Sequence, residues 1–111
     1  EELEWDGLDD GCRHVLALSH TGSAIGCGRI LDDGHIGRIA VLPEWRKQKV
    51  GTAIMEVLLD YARERGYKQV DLDAQTCAVP FYRNFGFVEQ GDIFMDANMP
   101  HIKMRHKLLP V

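Results

Sequence analysis

Between the third apolar run and Ala74 the chain changes its hydrophobic period twice, and this switch constrains the fold more than any other stretch. From Lys49 to Arg65 the apolar residues Val50, Ala53, Ile54, Val57, Leu58 and Tyr61 follow helical spacing, while Glu56, Asp60, Arg63 and Glu64 fall on the other side. Gly66 supplies the stop. In Val70-Asp71-Leu72-Asp73-Ala74 the period becomes two, which gives a strand with one buried face and one face carrying carboxylates. The order strand, helix, strand follows.

Upstream, His14 to Ser19 and Ala24 to Leu31 are apolar runs separated by His20-Thr21-Gly22-Ser23, the pattern of a hairpin. Asp32-Asp33-Gly34 turns into a third strand, His35 to Leu42, which Pro43 ends because it cannot donate to a ladder. The acidic, turn-rich stretch Glu1 to Gly11 reads as an extended lead-in. Downstream, Pro80 opens a short helix through Phe81 to Phe85 that Gly86 closes. Phe87 to Gln90 and Ile102 to Leu108 read as two last strands joined by Gly91 to His101. No repeat or linker divides the 111 residues, so 1–111 is one α+β domain, with antiparallel strands first, one long crossover helix and a short second helix.

Composition then sets what can bind. A net charge of -4 argues against a surface built for nucleic-acid phosphates. No apolar run reaches the roughly 18 to 20 residues that cross a bilayer, and no signal peptide is visible, so a soluble protein is expected. Cys12, Cys27 and Cys77 are widely spaced and in no CxxC arrangement, which fits a reducing cytoplasm better than a disulfide framework. Against this acidic background, Arg46-Lys47-Gln48-Lys49-Val50-Gly51-Thr52 sets three cations in four residues where the long helix begins. A helix start ordinarily favours acidic side chains, because its backbone N–H groups are unpaired and electropositive. Cations there break the local rule, and a bound pyrophosphate would resolve the conflict. Gly51 would admit a phosphate close to the backbone. A solvated basic patch is the alternative. Neither GxxxxGK[ST] nor GxGxxG is present, which sets aside nucleoside triphosphate and dinucleotide loops.

The turn resembles the signature R/Q-x-x-G-x-G/A of the GNAT N-acetyltransferases, with Arg46 to Gly51 in its six places and Lys49 where the first glycine is usual. Ile39-Ala40-Val41-Leu42-Pro43-Glu44-Trp45-Arg46 resembles that family's cofactor strand and turn. Ala78-Val79-Pro80-Phe81-Tyr82-Arg83-Asn84-Phe85-Gly86-Phe87 resembles its later helix signature, A-x-x-F-Y-x-x-x-G-F. Asp73-Ala74-Gln75, the Ala78 to Tyr82 run and Pro100-His101 are similar to the ElaA-like subgroup. The resemblance implies a mixed, mostly antiparallel twisted sheet in a single GNAT-like domain, short of the family's usual first strand and helices. It also implies transfer of an acetyl group from the cosubstrate acetyl-CoA to a primary amine of a small molecule or peptide by direct attack. The alternative is a non-catalytic acetyl-CoA-binding or dimerisation module, and a homodimer is compatible with either.

By the same resemblance, Ile39, Ala40 and Val41 offer backbone groups to the pantetheine arm, and Arg46, Lys47, Gln48, Lys49, Val50, Gly51 and Thr52 hold the diphosphate. The N–H of Val41, or of its neighbour Leu42, polarises the thioester carbonyl, and Tyr82 protonates the departing thiolate. Gln75, where an asparagine is common, keeps an amide contact. The general base is open: Asp73 and Asp71 come first, sharing one strand face, with solvated strand residues as the plainer alternative; His35 and His101 are weaker options. A core aromatic is the plainer role for Tyr82. No metal is expected, because no recognised spacing unites Cys12, His14, His101 and His106.

Overall fold

The computed structural model describes residues 2–9 and 11–108. Four strands come first, β1 (Glu2–Asp9), β2 (Cys12–Leu18), β3 (Ala24–Leu31) and β4 (Ile36–Val41), hydrogen-bonded in sequence order as one antiparallel sheet. A 3-10 turn, Pro43–Trp45, leads to helix α1 (Val50–Glu64). Strand β5 (Gln69–Gln75) follows, then a second 3-10 turn, Thr76–Ala78, and the short helix α2 (Val79–Arg83). Strands β6 (Val88–Asp96) and β7 (Met99–Lys107) close the chain, and β7 lies between β5 and β6 in an antiparallel second sheet.

Two segments differ from the sequence reading. The stretch expected as a lead-in pairs along β2, and Trp5 reaches α1, its ring 5.0 Å from that of Tyr61 with the Arg13 guanidinium stacked over it. Glu1 and Asp10 of that stretch lie outside the described residues. The segment 91–101, expected as a connection, is mostly strand. Its reversal is made by Ala97 and Asn98, both at positive φ, 51° and 62°, the left-handed pair that a two-residue hairpin turn requires. Asn at the second place is a common choice, but Ala at the first is not, so composition hid the turn.

Helix α1 crosses the first sheet and buries Val50, Ile54, Met55, Leu58, Leu59 and Ala62, a wider stripe than the period alone suggested. Val57 and Tyr61 sit at its margins, half-buried. The helix can come this close because β3 presents glycine beneath it. A Cβ on Gly28 would stand 2.7 Å from Ile54 Cγ2, nearer than real atoms approach. Val70, Leu72 and Ala74 of β5, with Phe87 and Met104, continue the same core into the second sheet. Gly66, at φ 78°, ends α1 as expected. Among the described residues no helix is long and apolar enough to cross a membrane.

Candidate active site

Among the described residues one backbone bridge joins the two sheets. His35 bridges Asp71 in parallel, the Asp71 N–H donates to the Gly34 carbonyl at 3.1 Å, and His35 Nδ1 lies 2.7 Å from Asp71 Oδ1. Asp71, one of the two carboxylates weighed as a base, is thus engaged in holding this junction. Beyond it, among the described residues, β4 ladders only to β3 and β5 only to β7, so the two neighbouring strands part. The cause is local. Cys27 pairs with Ala40 while Arg29 pairs with Gly37, which sets two residues of β4 against the single Gly28 and makes a bulge. Such an extra residue bends its strand.

The bulge also fixes which backbone groups face the gap. Leu42 N–H donates to the Ile25 carbonyl at 2.9 Å, so it is spent inside the first sheet and is unavailable as an oxyanion donor; this corrects one of the two expectations at that position. Antiparallel ladders alternate, so the N–H and carbonyl of Val41, one residue earlier, point away from β3 toward the gap. The Val41 carbonyl accepts from Arg46 Nε at 3.2 Å.

Two cavities flank this edge. One, of about 290 Å³, lies between the parted strands and is lined by Ile36, Gly37, Ile39, Leu72, Asp73, Gln75, Ala78, Tyr82 and His101. The other, of about 300 Å³, is lined by Val41, Trp45, Arg46, Lys47, Lys49, Val50, Gly51, Thr52 and Phe81. The structure therefore gathers Ile39, Asp73, Gln75 and Tyr82 in the first and the basic turn in the second. Val41 stands at the edge between them, beside the exposed Ala40. Trp45 and Phe81 were missed as lining. Their only sequence signal was an aromatic just ahead of the cations and a second one beside Tyr82.

The basic turn is open rather than closed on itself. Lys47 and Lys49 both adopt φ 64°, the left-handed region, and Lys49 is the residue that caps α1. No acidic side chain occupies the helix's first turn, so its electropositive end is uncompensated from within. Gln48 is exposed, yet its Nε2 is engaged within the turn: it donates to the Glu44 carbonyl at 3.3 Å, and with Arg46 it ties the turn to the strand end. A Cβ on Gly51 would meet Phe81 Cζ at 3.5 Å, within the second cavity, so the missing side chain leaves usable space.

Tyr82 is held by edge-on contacts with Phe81 and Phe87, at 5.1 and 6.1 Å between centroids. Burial raises its phenol above the ordinary tyrosine value, so it keeps its proton at neutral pH. Asp73 is exposed and lies directly across the ladder from Lys103. His101 lies across from Gln75, with its Nδ1 2.9 Å from the Met99 carbonyl oxygen. Among the described residues no three His, Cys, Asp or Glu side chains gather as a metal site requires.

The sequence model described as the acetyltransferase (GNAT) domain matches residues 3–108. The Bacillus subtilis N-acetyltransferase YjcF is 36% identical over 107 residues, covering 93% of this chain and 76% of that protein. The crystal structure of Escherichia coli ElaA superposes with a TM-score of 0.77 at 30% identity, over 86% of this chain and 67% of that one. An acyl-CoA N-acyltransferase from Pseudomonas aeruginosa superposes equally well, with a TM-score of 0.77 at 29% identity, over 86% and 68% of the two chains.

Proposed function

The chain belongs to the GNAT acetyltransferase family and is an acyltransferase, and on that premise we propose that it moves acetyl from acetyl-CoA to a primary amine of a small molecule or peptide by direct attack. The observation that carries this is the parting of β4 from β5 just beyond the His35–Asp71 junction, with a cation-lined cavity at one side of the gap and Tyr82 at the other.

Lys47 and Lys49, with the free amides at the start of α1, receive the diphosphate, and Arg46 and Gln48 hold the turn in shape while Val50, Gly51 and Thr52 form its floor. Ile39, Ala40 and Val41 present a strand edge to the pantetheine arm, as an added strand would use it. Val41 N–H is the donor for the thioester carbonyl, and such a donor is worth about 3 kcal/mol once the oxyanion forms. Attack makes a C–N bond, and the C–S bond then breaks with its electron pair on sulfur. Tyr82, kept protonated by burial, supplies the proton to that sulfur. Gln75 contributes an amide contact from β5, and Asp73 places a negative charge where a cationic amine would enter.

The testing experiment is calorimetric titration with acetyl-CoA, at low and high salt, of the wild type and of Lys47→Ala. Binding that weakens with salt and weakens further in the variant is expected. A wild type with no measurable binding at either salt concentration contradicts the assignment.

A further inference from the structure

An acceptor amine arrives as an ammonium ion and must lose a proton before it can attack, and the cavity beside Tyr82 holds two groups able to take it, Asp73 and His101. They differ in environment. Asp73 is exposed to solvent and stands directly across the ladder from Lys103. A carboxylate is also the intrinsically weaker base, with an ordinary pKa of about 3.9 against about 6.5 for imidazole. His101 is half-buried, and its Nδ1 lies 2.9 Å from the Met99 carbonyl oxygen. A carbonyl only accepts, so Nδ1 carries the hydrogen and the lone pair is left on Nε2. Phe94, directly across in β6, stacks on the ring at 5.9 Å and 25°, which fixes its plane.

We infer that His101 is the general base of the transfer, an assignment that rests on the acetyltransfer proposed above. Nε2 takes one proton from the ammonium and later passes it to solvent. The freed nitrogen forms the C–N bond, and the C–S electron pair leaves on sulfur, which Tyr82 protonates. The second nitrogen proton returns through water to the Tyr82 phenolate, so the enzyme ends as it began. The groups that face His101 are Asp73 and Gln75 from β5, Tyr82 from α2, and Phe94 from β6, with Asp92 and Asp96 farther along that strand; Lys103 lies two residues on in β7.

The test is the pH dependence of kcat/KM for acetyl-CoA and a responsive amine, measured on the wild type, His101→Gln and Asp73→Asn over about pH 5 to 8, where imidazoles change charge. His101→Gln should lose about 10²-fold or more in kcat/KM and its acid limb, while acetyl-CoA binding by calorimetry stays at the wild-type value. His101→Gly with added imidazole should recover part of the rate, a response that a merely structural histidine would not give. Retention of the acid limb in His101→Gln, its disappearance in Asp73→Asn alone, or no recovery with imidazole overturns the assignment. Should the wild type neither bind acetyl-CoA nor release thiol, the underlying reaction falls as well.

Discussion

Lys49 holds a backbone conformation, φ 64°, that glycine adopts without strain and a lysine does not. The family signature has glycine at this place, so the structure explains the departure: the turn geometry is kept, and the side chain bears the strain in exchange for a cation at the helix start. Lys49→Gly should therefore raise thermal stability, by roughly 1 kcal/mol after the entropy of the unfolded glycine is deducted, while weakening acetyl-CoA binding. Gly51 gives the companion case. Its Cβ would make only ordinary contact with Phe81, so Gly51→Ala should fold and gain up to about 1 kcal/mol, yet bind acetyl-CoA less well because the cavity narrows. Melting curves beside calorimetry check both variants, and stability and affinity moving together would contradict a ligand cavity. Tyr82 adds a pH signature. With its pKa raised by burial, its contribution to stability is full below the ordinary tyrosine value near 10 and is lost as pH rises through the folded value. Tyr82→Phe should cut kcat by about 10²- to 10⁴-fold with little change in melting temperature.

The elements explain how these residues come to be neighbours. Strand β4 parts from β5 because its bulge and the His35–Asp71 junction act in opposite directions, one bending the strand and the other pinning its start. The end of α2 is set with similar economy of space. Gly86 sits at φ 96°, and a Cβ there would lie 2.7 Å from His106 Cε1, so Gly86→Ala should destabilise by about 1–3 kcal/mol in a denaturant titration. His106 itself has its pKa lowered, first by burial and then by the Arg63 charge, with a hydrogen bond to the Gly86 backbone opposing them. A neutral ring is what the fold accommodates. Its contribution is therefore complete above the ordinary histidine value near 6.5 and is lost as pH falls through the lowered folded value. His106→Gln should flatten the acid side of the melting-temperature profile, and an unchanged slope would contradict this.

For the whole molecule, what the sequence made legible is what repeats with a period. The helix at 50–64, the strands on either side of it and the hairpin before it all follow from apolar spacing and from Gly22, Gly34 and Gly66, each at positive φ. The lead-in was misjudged because Asp and Gly argue for turns, while the packing of Trp5 on Tyr61, far along the chain, draws it onto the sheet. The long final hairpin was hidden by an alanine in its reversal. The bulge opposite Gly28 leaves no local signature, and without it neither the lost Leu42 N–H nor the free face of Val41 could be read. The contact of His101 with the Met99 carbonyl, on which the base proposed for the transfer relies, also has no signature in residue type or spacing. The hairpin also exposes Ile93 and Met95, at 61% and 66%, along the edge strand β6, with Met99 of β7 exposed at 43% beside its turn. If this edge pairs two copies, light scattering will give twice the chain mass, and Ile93→Asp will reduce it to one.

The gap between β4 and β5 is proposed as the place where a thioester meets an amine. Thiol release from acetyl-CoA, followed for the wild type and Tyr82→Phe across a panel of primary amines, tests it most directly. Release that requires an amine and falls at least about 10²-fold in the variant is the expected result. No release with any amine, or equal rates in the two proteins, would contradict the account.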